Sequence, residues 1–124
     1  MGDFIGAKSS IEKAIRLDPY CGWIWAWRGE QLRRSGDGAG AAKAFDRAVE
    51  LSPDYELSYA WRGAVRRSLG RPAEAVEDLS IALRLEPTTV AWCRHERMNA
   101  FRELGRFPEA LQDLDVAWRL NPKF

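Results

Sequence analysis

Four prolines, Pro19, Pro53, Pro87 and Pro122, recur at spacings of 34, 34 and 35 residues, and a period of that length constrains the fold more than any composition does. Each ends the same phrase. Reading back from them gives Leu17, Leu51, Leu85 and Leu120, then Ala14, Ala48, Ala82 and Ala117, then Ala7, Ala41, Ala75 and Ala110, then Gly2, Gly36, Gly70 and Gly105. Five columns in four copies specify one local unit repeated along the chain. Between each glycine and proline the apolar residues fall at helical spacing, as in Ala75, Val76, Leu79, Ala82, Leu83 and Leu85. Proline stops that helix because it lacks the next N–H. A second helix runs from each proline to the next glycine, which accepts a left-handed cap. The unit is a helical hairpin of about 34 residues.

Composition agrees with a packed domain. Of 124 residues 46% are hydrophobic and 30% charged, which excludes disordered and collagen-like classes. With 19 Lys plus Arg against 18 Asp plus Glu, the net charge of +1 supplies no global field for duplex nucleic acid or an anionic membrane. No apolar run approaches the roughly 20 residues of a membrane span, and Met1-Gly2-Asp3-Phe4-Ile5-Gly6 has neither a basic signal flank nor a myristoylation hydroxyl. A soluble, cytoplasmic chain is expected. Cys21 and Cys93 are too few and too distant for a disulfide framework.

This pattern resembles the tetratricopeptide repeat over essentially the whole chain. The family's small-residue signature stands at Gly29 and Gly63 and at alanines 41, 48, 75, 82, 110 and 117, and its opening aromatic at Trp25 and Tyr59. Met98 replaces the glycine in the third copy, and Arg66 stands where Leu32 and Phe101 stand in the others; looser packing is expected there. The resemblance implies an all-α, right-handed α-solenoid of stacked hairpins whose first helices line a concave groove. Seven helices fit, at 4–17, 22–35, 39–51, 55–69, 73–85, 89–104 and 108–120. They form one domain over 1–124, with the second helix of a truncated repeat at 1–21 and full repeats at 22–55, 56–89 and 90–124. The odd count reads as a segment of a longer array. The end helix, with Leu111, Leu114 and Trp118, lacks the polar covering helix that the family often adds, so both ends are candidate self-association surfaces.

The third copy holds one extra residue between Pro87 and Gly105. Counting forward puts Cys93 in the Trp25 and Tyr59 column; counting back puts Arg94 there. The cost of burying an unpaired arginine favours the forward count. The surplus is then either a bulge near His95 or Glu96, or a longer inter-repeat turn.

Catalytic and metal constellations are absent from the sequence. His95, the only histidine, has Asn99 where a zinc helix needs a second histidine. Cys93 and His95, two apart on a helix, point about 200° away from each other. Gly36-Asp37-Gly38-Ala39-Gly40 lacks the Lys-Ser/Thr ending of a phosphate loop and follows a helix rather than a strand. Paired acids at a cleft are missing, so no enzymatic activity, metal or cofactor is expected.

Two arginine columns repeat. Arg62 and Asp78 lie level about Gly70, and Arg97 and Asp113 about Gly105, which reads as an ion pair within each hairpin. Opposite Arg28 stands Ala44, where Asp46 is the expected substitute. The second column, Arg33, Arg67 and Arg102, lies three residues before each turn glycine, where favourable meeting with the helix dipole is the competing explanation. First helices carry net positive charge and the rest of the chain net negative. Of six tryptophans, Trp23 and Trp27 share a helical face, Trp61 shares the column of Trp27, and Trp92 falls in or beside that of Trp23.

The expected site is a Trp/Arg-lined groove of Trp23, Trp27, Arg33, Trp61, Arg67, Trp92, Asn99 and Arg102. It fits a peptide segment of a protein partner, acidic or carboxylate-bearing. Some family members clamp a terminal carboxylate with Lys and Asn; Ala26, Glu30 and Ala64 hold the corresponding places here. The alternatives are a self-assembly module forming homo-oligomers through end helices, or a non-catalytic domain of a larger enzyme. Single-stranded RNA binding by Trp stacking is disfavoured by the near-zero charge.

Overall fold

The computed structural model describes residues 2–87 and 91–120, and the side chains of 10–87 and 92–120. Its helices are α1 (Gly2–Leu17), α2 (Gly22–Arg34), α3 (Gly38–Leu51), α4 (Glu56–Ser68), α5 (Pro72–Leu85), α6 (Ala91–Glu103) and α7 (Phe107–Leu120). Among the described residues no strand occurs. The expected boundaries hold within two residues because the punctuation is chemical. Gly36, Gly70 and Gly105 take φ of +91°, +78° and +74°, a region other residues enter only with strain. Each closes a Schellman turn: the next residue donates back to a carbonyl five earlier, as Asp37 to Leu32 at 2.9 Å, Arg71 to Arg66 at 2.8 Å and Arg106 to Phe101 at 2.8 Å. Asp37 then caps α3 by accepting from the Gly40 N–H at 2.8 Å.

Three hairpins, α2/α3, α4/α5 and α6/α7, stack in order, and α1 packs against α2. First helices touch one another, α2 with α4 and α4 with α6, whereas second helices do not. First helices therefore line the inner side of an α-solenoid. Small residues set how closely the paired helices approach. A Cβ built on Gly29 falls 2.5 Å from the Phe45 ring, and one on Gly63 falls 2.8 Å from Leu79 Cγ. Phe45 and Leu79 are fully buried in consequence, each worth about 2 kcal/mol of apolar transfer. Phe45 shares a cluster with Ala41 and Val65; Leu79 shares one with Tyr59, Ala82, Leu83, Cys93 and Ala100.

The arginine pairs form as expected, with two corrections. Arg62 grips Asp78 through Nε at 2.9 Å and Nη2 at 2.8 Å, and Arg97 grips Asp113 at 2.8 and 2.5 Å. Asp46 does not serve Arg28. It accepts from Arg62 at 3.0 Å, while Arg28 reaches back to Glu12 at 3.5 Å and bonds Gln31 at 2.7 Å. The level partner of an arginine on the preceding hairpin lies 16 residues back, so Glu12 is to Arg28 what Asp46 is to Arg62. Arg66 is not loosely packed either: it bonds Asp78 at 3.0 Å and pairs with Glu74 at 3.4 Å.

The third repeat overturns the forward count. Over its described residues, Ala91–Glu103, α6 is an unbroken α-helix. No bulge interrupts it at His95 or Glu96, and the inter-repeat turn at 88–90 lies outside the described residues. Arg94, not Cys93, occupies the aromatic column. Trp25 Nε1 donates to Pro19 O at 2.8 Å, Tyr59 Oη to Pro53 O at 2.8 Å, and Arg94 Nη2 to Pro87 O at 3.1 Å. The guanidinium is tolerated because one nitrogen finds a carbonyl, although its buried Nε has no partner among the described residues. Cys93 joins the buried column of Ile24 and Ser58.

Candidate functional site

The inner face is built from corresponding positions of successive first helices. Trp27 on α2 and Trp61 on α4 meet edge to face, with ring centroids 5.2 Å apart, and Trp61 also lies against Phe45 at 6.3 Å. Beside them a cleft of about 290 Å³ opens between three first helices, lined by Glu30, Arg33 and Arg34 of α2, Trp61 and Ala64 of α4, and Trp92 and Glu96 of α6. The packing of Phe45 fixes the Trp61 end of this cleft, and the cap turns after α2 hold its arginines.

Of the sequence-predicted residues the cleft gathers Arg33, Trp61 and Trp92, with Trp27 in contact through Trp61. Trp23 is exposed at the start of α2 and does not line it. Arg67 stands next to it as a strut, bonding Glu96 at 3.0 Å and Glu103 at 2.7 Å and so tying α4 to α6. Asn99 accepts from Arg102 at 3.1 Å, and Arg102 lines a separate apolar cleft with Met98, Phe107 and Leu114. Expected groove residues thus divide into a tryptophan cleft, a strut, a distal pair and Trp23, which stands apart.

Carboxylates were the missed component. Glu30 accepts from Arg33 at 2.8 and 2.6 Å and from Arg34 at 3.1 Å. These hydrogen bonds, the largest influence on Arg33, outweigh partial burial and raise its pKa above the ordinary arginine value. For Arg67 burial is the largest influence and lowers the pKa, but bonds to Glu103 and Glu96 more than offset it. Glu96 falls in the Trp27 and Trp61 column once the surplus residue is placed before α6, so the signal existed but depended on that count.

Exposure sorts the charges. The Glu30 side chain is 6% exposed, whereas Arg33 is 42% and Arg34 68% exposed. At the α2 wall the guanidinium groups are exposed and Glu30 lies behind them, while on the α6 wall Glu96 is 25% exposed and paired with Arg67. A larger cleft of about 720 Å³ lies between α5 and α6, among Ser80, Arg84, Arg94 and Arg97. It has no aromatic wall, and Arg97 is already held by Asp113. Cys93 is buried, which pushes its thiol up to about 12, so it is no nucleophile at neutral pH. Among the described residues no three His, Cys, Asp or Glu gather to hold a metal ion, and no helix is long and apolar enough to cross a membrane.

A family model described as tetratricopeptide repeat matches residues 1–56. No curated protein sequence matches the chain. Solved structures share the fold over most of its length. A MamA crystal structure superposes with a TM-score of 0.83 at 22% identity, covering 97% of this chain; the chain spans 65% of that protein's length. The first TPR of Spaghetti (RPAP3), bound to the HSP90 peptide SRMEEVD, gives 0.76 at 18% identity over 83% of each chain. The Arabidopsis OM64 TPR domain gives 0.79 at 20% identity, over 84% of this chain and 85% of its own.

Proposed function

We propose that this chain is a tetratricopeptide-repeat module whose α2/α4/α6 cleft binds a carboxylate-bearing peptide segment of a partner protein. The observation that carries this reading is the sorting of charge and aromatics. Arg33 and Arg34 turn outward beside Trp61 and Trp92, while Glu30 is withdrawn into the fold. Guanidinium forks pair carboxylates with directional, charge-assisted hydrogen bonds, and indoles supply apolar area at low entropic cost. The Spaghetti TPR structure contains an acidic peptide, which supports this ligand class for a chain of the same fold.

Tryptophan fluorescence titration with SRMEEVD and with a counterpart carrying Gln for Glu, Asn for Asp and an amidated C-terminus tests the proposal. Arg34→Ala leaves Arg33 to satisfy Glu30, so the fold is preserved; it is expected to weaken the acidic peptide roughly tenfold and the neutral one little. Trp61→Ala is expected to weaken both by a similar factor. Equal affinity of all three proteins for both peptides rejects the cleft.

A further inference from the structure

The columns that join one hairpin to the next reach a face of α7 whose described side chains are exposed. On α3 and α5, Phe45 and Leu79 are buried with residues of the following first helix. Their counterpart on α7 is Leu114, 47% exposed, next to Trp118, the counterpart of buried Leu83, at 57%. With Leu111 these residues line clefts of about 300 and 360 Å³.

A polar column runs beside them. Glu12 on α1, Asp46 on α3 and Ser80 on α5 meet Arg28, Arg62 and Arg97 of the following first helix at 3.5, 3.0 and 3.1 Å. Asp115 is the next member, and its described partner is Arg119 of its own helix at 3.0 Å. The face of α7 thus has the apolar ridge and the acid that, elsewhere in this chain, receive an arginine-bearing first helix.

The other end of the chain offers such a helix. Among the described residues α1 packs against α2 and no other helix, with Ile11, Glu12 and Ile15 only half buried, and its Glu12–Arg28 pair is the longest of the three inter-repeat contacts. Aligned on their turn glycines, Leu114, Asp115 and Trp118 of α7 replace Ile11, Glu12 and Ile15 of α1. We infer that α7 of one copy docks on α2 of a second copy in the place of α1, with Asp115 taking Arg28 from Glu12 and Trp118 taking the seat of Ile15. The indole covers more apolar area than the isoleucine it replaces. Tethering gives α1 an advantage equivalent to a local concentration on the order of millimolar, so association of the unaltered chain sets in at high concentration and grows when α1 is released. The contact is head to tail: each added copy leaves one α7 uncovered, and the product is an open chain rather than a closed dimer.

Sedimentation equilibrium tests this independently of the cleft. The I11D/I15D variant, which loosens α1 and leaves α7 intact, is expected to self-associate about tenfold more strongly than the unaltered chain. Adding D115R is expected to return it to monomer mass. The charge swap is the second arm: D115R alone and R28E alone stay monomeric, and their mixture associates. Two results overturn the inference: I11D/I15D remaining monomeric at about 1 mM, or its association being unmoved by D115R.

Discussion

Glycine 63 shows how much of this fold is decided by single atoms. A Cβ there meets Leu79 at 2.8 Å and the Ala75 carbonyl at 3.2 Å, so Gly63→Ala is expected to cost about 1–3 kcal/mol in urea unfolding through overpacking. Cys93 supplies a pH signature. Burial raises its thiol from 9.0 to about 12, so the neutral form is favoured in the folded chain. Its contribution is complete below about pH 9 and is lost as pH rises toward 12. Thermal unfolding of the native chain is expected to fall over that window more steeply than that of Cys93→Ala. The small-residue columns were legible in the sequence because they need only the period. Arg94 was not, because the rule against buried arginine ignores the reach of the side chain, which delivers a nitrogen to Pro87 O. Glu96 was hidden by the same miscount.

Between elements, polar pairs carry the information that short-range patterns lack. Asp78 is buried and holds both Arg62 and Arg66. Asp78→Ala strands two guanidinium groups and is expected to cost about 3–5 kcal/mol in denaturant unfolding. The exposed Asp115→Ala is expected to stay within about 0.5 kcal/mol. The Arg62–Asp78 and Arg97–Asp113 pairs were readable because the turn glycine is a mirror that sets residues level. The strut from Arg67 to Glu103 spans 36 residues and two helices, and no local count reaches it. The pairing of the first-helix arginines was not readable: Glu30, Glu96 and Glu103, also on first helices, engage Arg33, Arg34 and Arg67.

Across the whole molecule, arginines link consecutive hairpins as rungs. Arg62 joins α3 to α5 through Asp46 and Asp78, and Arg97 joins α5 to α7 through Ser80 and Asp113. In a stacked array stability is a sum of unit and interface contributions. The order of helices and the shared inner face followed from the repeat alone; which part of that face forms a cleft depended on side-chain packing. The most direct test uses the six indole N–H signals in a proton–nitrogen spectrum during titration with SRMEEVD. Binding in the α2/α4/α6 cleft shifts the signals of Trp61 and Trp92 and leaves that of Trp118 in place. Unmoved Trp61 and Trp92 signals at saturation, with shifts confined to Arg84, Arg94 and Arg97 on the opposite side, contradict it.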